Sequence, residues 1–147
     1  LVEEYRPKHL FNVIQFLKVF KSEDFYITDN NERKIICDEK TLKKFIKETR
    51  SILVVEEVGD IQGIIGIWKS FGNVERFYIK IDAIDEKVAD ALLTSLLWNN
   101  RKYLHVKIKK DSNFLKVFKN KGFEFRGDRG REVLLILNNQ YRKPPNG

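Results

Sequence analysis

The stretch Tyr103-Leu-His-Val-Lys-Ile-Lys109, continuing through Asn113-Phe-Leu-Lys-Val-Phe-Lys-Asn120 and Lys121-Gly-Phe123 to Arg131-Glu-Val-Leu-Leu-Ile-Leu137, decides the fold. Its first segment alternates, placing Leu104, Val106 and Ile108 on one face, so it predicts a strand. Asp111 or Ser112 can cap a short helix over 113–120, whose apolar stripe is Phe114, Leu115, Val117 and Phe118. Gly122 suits a left-handed cap, and Phe123 just beyond it can pack back onto the helix. A closing strand pair, 123–126 and 131–137, is expected to turn through Gly127-Asp-Arg-Gly130.

Working upstream, residues 85–98 form a helix pattern, with Val88, Ala89, Leu92, Leu93, Leu96 and Leu97 inward. Residues 75–82 alternate as a strand before it. Strands over 51–58 and 61–68 meet at Gly59-Asp60, which reads as a type II′ hairpin. Gly63 and Gly66 inside the second of them point to a bulge or a close backbone approach. Asp38 caps a helix over 38–48, with Leu42, Phe45 and Ile46 inward. An amphipathic helix is expected from Lys8 to about Lys21 (Leu10, Phe11, Val13, Ile14, Leu17, Phe20) and a short strand over 4–7. Residues 22–31 read as loop.

The chain has 147 residues, enough for one domain with a sizeable core, here 1–140 with a flexible tail over 141–147. Its content, 42% hydrophobic and 33% charged, is ordinary for a globular protein. No apolar run approaches the roughly 18 residues of a membrane span, and no leader pattern opens it, so a cytoplasmic location is expected. Cys37 is the only cysteine, which excludes an intrachain disulfide and a thiol-built zinc site. It reads as a small buried hydrophobe, and His9 and His105 as surface residues.

Strand, capped helix, Gly122-Phe123 and final hairpin, together with the glycine-bearing hairpin over 51–68, resemble the GNAT (Gcn5-related N-acetyltransferase) family across almost the whole chain. The resemblance implies an α/β fold, a mixed and mostly antiparallel twisted sheet of six or seven strands with about four helices. It also implies acetyl-CoA as cofactor, an amine acceptor, and no metal. The cofactor would lie along Phe77, Ile79 and Ile81 and at the helix start formed by Lys87, Val88 and Ala89. The 22–37 region would shape the acceptor side, through Phe25, Tyr26 and Cys37.

Within that resemblance the residues depart from the family pattern. Where the family opens the helix with Arg/Gln-x-x-Gly-x-Gly/Ala, this chain has Ile84 for the Arg or Gln and Lys87 for the first glycine, and only Ala89 matches. Asp82, Asp85, Glu86 and Asp90 are expected to crowd acidic charge where a diphosphate would sit. Phe118 stands where the family often has a general-acid tyrosine, and phenylalanine has no proton to give. Glu75 and Glu57, with Glu56 beside it, are the candidate general bases. Two functions follow. One is acetyl transfer to an unidentified amine. The other is a non-catalytic GNAT-fold adaptor or structural protein, of a kind found among viral and phage proteins. That alternative would bind protein or nucleic acid through Lys107, Lys109, Lys110, Lys116, Lys119, Arg126, Arg129 and Arg131, consistent with a net charge of +7.

Overall fold

A computed structural model of the chain describes residues 1–70 and 74–141. The expected tail beyond Tyr141 lies outside the described residues. In chain order the elements are β1 (Val2–Glu4), a 3-10 turn (Pro7–His9), α1 (Leu10–Val19), β2 (Tyr26–Asp29), β3 (Glu32–Ile35) and α2 (Glu39–Glu48). There follow β4 (Thr49–Glu57), β5 (Asp60–Ser70), β6 (Arg76–Ala83), α3 (Glu86–Asn99), β7 (Tyr103–Lys109), α4 (Leu115–Asn120), β8 (Glu124–Arg129) and β9 (Glu132–Asn138).

Seven strands form one sheet in the order β1-β4-β5-β6-β7-β9-β8, and every neighbouring pair is antiparallel except β6 and β7. The crossover between those two is α3, as a parallel pair requires. This is the mixed, mostly antiparallel sheet with four α-helices that the sequence implied. Both faces are covered. Ile79, Ile81 and Ala83 of β6 pack with α3 and α4, beside Leu92, Leu96 and Phe118. Tyr78 belongs to the other face, with Val13, Leu17, Leu42 and Phe45 of α1 and α2. Strand alternation therefore sends Tyr78, Lys80 and Asp82 towards α1 and α2.

Several local expectations change. The first strand is Val2–Glu4 rather than 4–7, because Pro7 opens the 3-10 turn. Residues 26–35 form a hairpin, not a loop. Asn30 and Asn31, at φ 51° and 65°, supply the two left-handed residues of its tight turn. The β4–β5 turn is Val58-Gly59, both at positive φ, hence type I′ rather than II′. The last hairpin turns at Gly130-Arg131, and the register shift between Phe125 and Gly127 places a bulge where the turn was expected. No hydroxyl or carboxylate caps α4 directly, although Ser112 Oγ accepts from Phe114 N–H at 3.1 Å. Gly122 does adopt φ 94°, and Phe123 meets the Phe118 ring edge-on at 5.1 Å.

His9 is fully buried rather than on the surface. Its Nδ1 accepts from Arg6 N–H at 2.8 Å, so Nε2 carries the proton that it shares with Glu3 at 2.6 Å. Cys37 is half-buried, and Phe11 is exposed although its spacing placed it in the α1 stripe. No helix among the described residues is long and apolar enough to cross a membrane.

Candidate active site

The β6–β7 ladder consists of two residue pairs, Phe77 with Leu104 and Tyr78 with His105. Beyond them the strands diverge, leaving a fork with unpaired strand edge from Ile79 onward. The physical cause lies in the neighbours. β6 stays paired with β5 as far as Ala83, and β7 stays paired with β9 as far as Lys109. Each follows its own half of the twisted sheet.

Over the fork on the α1–α2 side, the β2–β3 hairpin roofs a cavity of about 480 Å³. Tyr26, Trp68, Tyr78, Lys80 and Lys107 line it, with Asp29 and Glu48 at its rim. Lys80 is 3% exposed. Its Nζ lies 3.7 Å from the Tyr26 ring centre and 5.6 Å from that of Trp68. Burial pushes its ammonium down from 10.5 to about 7, helped by the positive charge of Lys107 and opposed by Glu132. Glu132 itself is engaged. Tyr26 O–H donates to its carboxylate at 3.0 Å and Arg33 at 2.7 Å. Burial, then the nearby Glu132 charge, raise the Tyr26 hydroxyl well above the phenolic range. Trp68 Nε1–H donates to Glu48 at 3.0 Å, which fixes the indole.

At the open end of the fork lies a second cavity of about 360 Å³, lined by Asp24 and Asp82 among others. Asp24 accepts from the backbone N–H of Lys109 at 2.9 Å, so a side chain from the loop before β2 reaches the β7 edge. Asp82 is 3% exposed and its Oδ2 has no partner. Burial raises its carboxyl from 3.8 to about 8.

The acidic crowding expected around the start of α3 is smaller than the sequence suggested. Asp82 projects from the opposite face of the sheet, and Asp90 pairs with Lys121 on the α4 side at 3.0 Å. Asp85 remains, capping the helix by accepting from Val88 N–H at 2.9 Å, with Glu86 exposed beside it. The unpaired β6 edge suits an extended, amide-bearing pantetheine arm. The first turn of α3 does not suit a diphosphate, because its own carboxylate has taken an amide and a second carboxylate stands next to it.

The other sequence-derived residues are dispersed. Ile79 and Ile81 are buried against α3, Ala89 is buried on α3 itself, Phe77 and Val88 are half-buried, Lys87 is exposed, and none of them lines either cavity at the fork, so none of these side chains offers it a polar group. Only the backbone of β6 can do so. Glu57 and Glu75 flank opposite ends of β5, an 11-residue strand, and thus stand roughly 30 Å apart at about 3.3 Å per residue. Both are exposed, Glu75 is paired with Lys69 at 3.3 Å, and neither lines the cavity. Of the acceptor-side expectations, Tyr26 reaches the cavity, while Phe25 is in the core and Cys37 lines none of it. His105 is half-buried, its Nδ1 without a partner.

Lys80, Trp68, Tyr78 and Asp24 were missed as site residues, while the sequence pattern placed Lys107 on the basic face and Asp82 at the start of α3 instead of in these cavities. A signal was present in Arg76-Phe-Tyr-Ile-Lys-Ile-Asp-Ala83. A strand central to a sheet covered on both faces should be apolar on both, so its Lys and Asp required an explanation.

Comparison with known proteins is consistent with this geometry. The sequence profile described as "Acetyltransferase (GNAT) domain" matches residues 17–136. The chain belongs to the GNAT acetyltransferase family. Among solved structures, a GNAT-family acetyltransferase from Streptococcus pneumoniae superposes with a TM-score of 0.69 at 15% identity, covering 92% of this chain and 96% of that one. The yncA protein of Salmonella typhimurium, solved with its cofactor acetyl-CoA, gives 0.70 at 13% identity over 99% and 96%. The ribosomal-protein-alanine N-acetyltransferase of Brucella melitensis gives 0.68 at 15% identity over 92% and 96%. These likenesses establish the fold. No curated protein sequence matches the chain.

Proposed function

We propose that the protein is an N-acyltransferase that moves an acetyl group from acetyl-CoA to an amine bound in the cavity beneath the β2–β3 hairpin. The observation that carries this reading is the fork. Pairing between β6 and β7 stops at Tyr78 and His105, and the cavity opens over the divergence. The backbone of Ile79 to Ile81 would hold the pantetheine arm, and the bound cofactor would supply an activated thioester. The chain's own contribution is to hold the acceptor under the hairpin, exclude water with Trp68 and Tyr78, and position it at the fork. Bringing two reactants together in this way accounts for much of a barrier reduction. The core position of Phe118, fully buried, is in keeping with a reaction that uses no acid from α4.

Because the α3 turn offers little to the diphosphate, acetyl-CoA and the truncated donor S-acetyl-pantetheine are expected to bind with affinities within about tenfold of each other. Calorimetric titration of both, paired with a thiol-release assay on a panel of amines, tests this. Absence of donor binding together with absence of thiol release defeats it.

A second reading is a non-catalytic adaptor. The self-capped start of α3 favours it, and so do the exposed Phe11, Val19 and Phe20 around a groove of about 490 Å³ beside α1. The same titration separates the two.

A further inference from the structure

We infer that the cavity takes a small amine that also carries an anionic group, with Lys107 holding the anion and Lys80 receiving the amine's proton. This rests on the acyl-transfer reading and adds to it a substrate class and a base.

Lys80 and Lys107 share one cavity, and among the described residues no carboxylate lies within ion-pair distance of either. Both terminal amines lie over aromatic rings, Lys107 at 5.1 Å and Lys80 at 6.0 Å from the centre of Tyr78. The acids at the rim are already occupied. Asp29 is held by Lys34 and Lys44, each at 3.1 Å, and Glu48 by the Trp68 indole. A purely cationic amine would therefore enter against Lys107 with no free carboxylate to receive it. An amine bearing a carboxylate brings its own counter-charge.

The groups facing Lys80 come from every surrounding element: Tyr26 of β2, Arg33 of β3, Glu132 of β9, Lys107 of β7, Asp24 from the loop before β2 and Trp68 of β5. Glu132 is shared between Tyr26 and Arg33, so its charge is spent on them rather than on Lys80. Desolvation wins, and Lys80 is half neutral near pH 7. A neutral lysine in an acceptor cavity is a base.

The chemistry balances. The acceptor enters as R–NH3+, and Lys80 Nζ takes one proton, leaving R–NH2 with a free lone pair. That nitrogen forms the C–N bond to the acyl carbon as the donor's C–S bond breaks. The departing sulfur collects the second proton that the nitrogen sheds on becoming an amide, and Lys80 returns its own to solvent. The net change is ammonium plus thioester to amide, thiol and one proton.

The test uses the full chain, with β-alanine and propylamine as acceptors, similar in size and differing by the carboxylate. β-Alanine is expected to exceed propylamine at least about tenfold in kcat/KM, the discrimination available from one charge-assisted contact. Lys107→Gln should bring that ratio towards one by raising KM for β-alanine. Lys80→Met should lower kcat about 100-fold or more at neutral pH, with KM little changed, and remove the rise in rate through pH 7. The binding half is measured without donor, by calorimetry with β-alanine alone. If β-alanine binds and Lys107→Gln loses it while no amine is acylated, the substrate class stands and the acyl-transfer reading falls. If amines are acylated with no preference for the carboxylate, or Lys80→Met keeps wild-type kcat and its pH profile, the inference is overturned. It is overturned equally if β-alanine neither binds nor reacts.

Discussion

Lys80 and Asp82 stand two residues apart on one face of β6, and burial drives each towards its neutral form. Their effects on stability run in opposite directions. Between about pH 7 and 10.5 the unfolded chain binds a proton at Lys80 that the native state lacks, so stability rises with pH across that window and is lowest below it. Between about 3.8 and 8 the native state keeps a proton on Asp82 that the unfolded chain has lost, so stability falls as pH rises. Each contributes several kcal/mol at its extreme, about 1.4 kcal/mol for every pH unit separating native and unfolded titration. Lys80→Met is therefore expected to stabilise most below pH 7, with the gain shrinking towards pH 10. Asp82→Asn should stabilise most above pH 8, with the gain fading towards pH 4. Urea unfolding at pH 5, 7 and 9 reads both. Gains that do not change with pH would show that burial is not the cause.

Among the elements, β5 is the one with least room. A Cβ at Gly63 would meet Leu92 Cδ1 and Val88 Cγ1 at 2.9 Å and the Asp82 carbonyl at 3.0 Å. The glycine thus lets α3 lie down on the sheet beside the fork. This is the close approach that its place in a strand suggested. Since a backbone atom is one of the obstacles, side-chain repacking alone cannot relieve Gly63→Ala. The substitution should cost about 1–3 kcal/mol, the usual penalty for overpacking. It should also disturb acetyl-CoA binding, since the helix that must move is the one beside the fork. A thermal melt and a titration on one sample test both. An unchanged melting temperature would mean that α3 is not clamped as described.

For the whole molecule, the decisive property is how the positive charge is spread. Lys116 and Lys119 lie exposed on α4, on the α3 face of the sheet, whereas Lys107 opens into the cavity on the other. Lys109 is paired with Glu23 at 3.3 Å and Lys110 with Asp128 at 2.6 Å. Phe114, Phe118 and Phe123, which lie among lysines and arginines in the sequence, are buried, and of the four phenylalanines between 114 and 125 Phe125 alone is exposed enough to stack on a base. Arg126, Arg129 and Arg131 are exposed on or beside the β8–β9 hairpin, but charge that is split between faces and partly neutralised is poorly suited to tracking a phosphate backbone. Titration with a short DNA duplex at about 0.15 M salt should give no tight binding. A steep salt slope, near −0.9 for each phosphate contact, would instead restore a nucleic-acid role.

The periodicities of residues 85–98, 103–109 and 113–123 were enough to place α3, β7, α4 and the Gly122 cap, because those signals are local: apolar spacing, a left-handed glycine, an aromatic after it. Hairpin residues 26–35 escaped because their strands are short and their Asn30-Asn31 turn lacks glycine. The site was less legible. Glu57 and Glu75 are carboxylates near strands in the sequence, but an antiparallel partner puts a whole strand length between them. Lys80, Tyr26 and Glu132 are separated by as many as 106 residues, and they share one cluster only because β2–β3 folds over a sheet in which β6 and β9 flank β7. By itself the sequence determined most of the elements, their order and the family, since those depend on short-range pattern. Only the tertiary structure decided which polar groups lose their water, and that loss drives Lys80 and Asp82 towards their neutral forms.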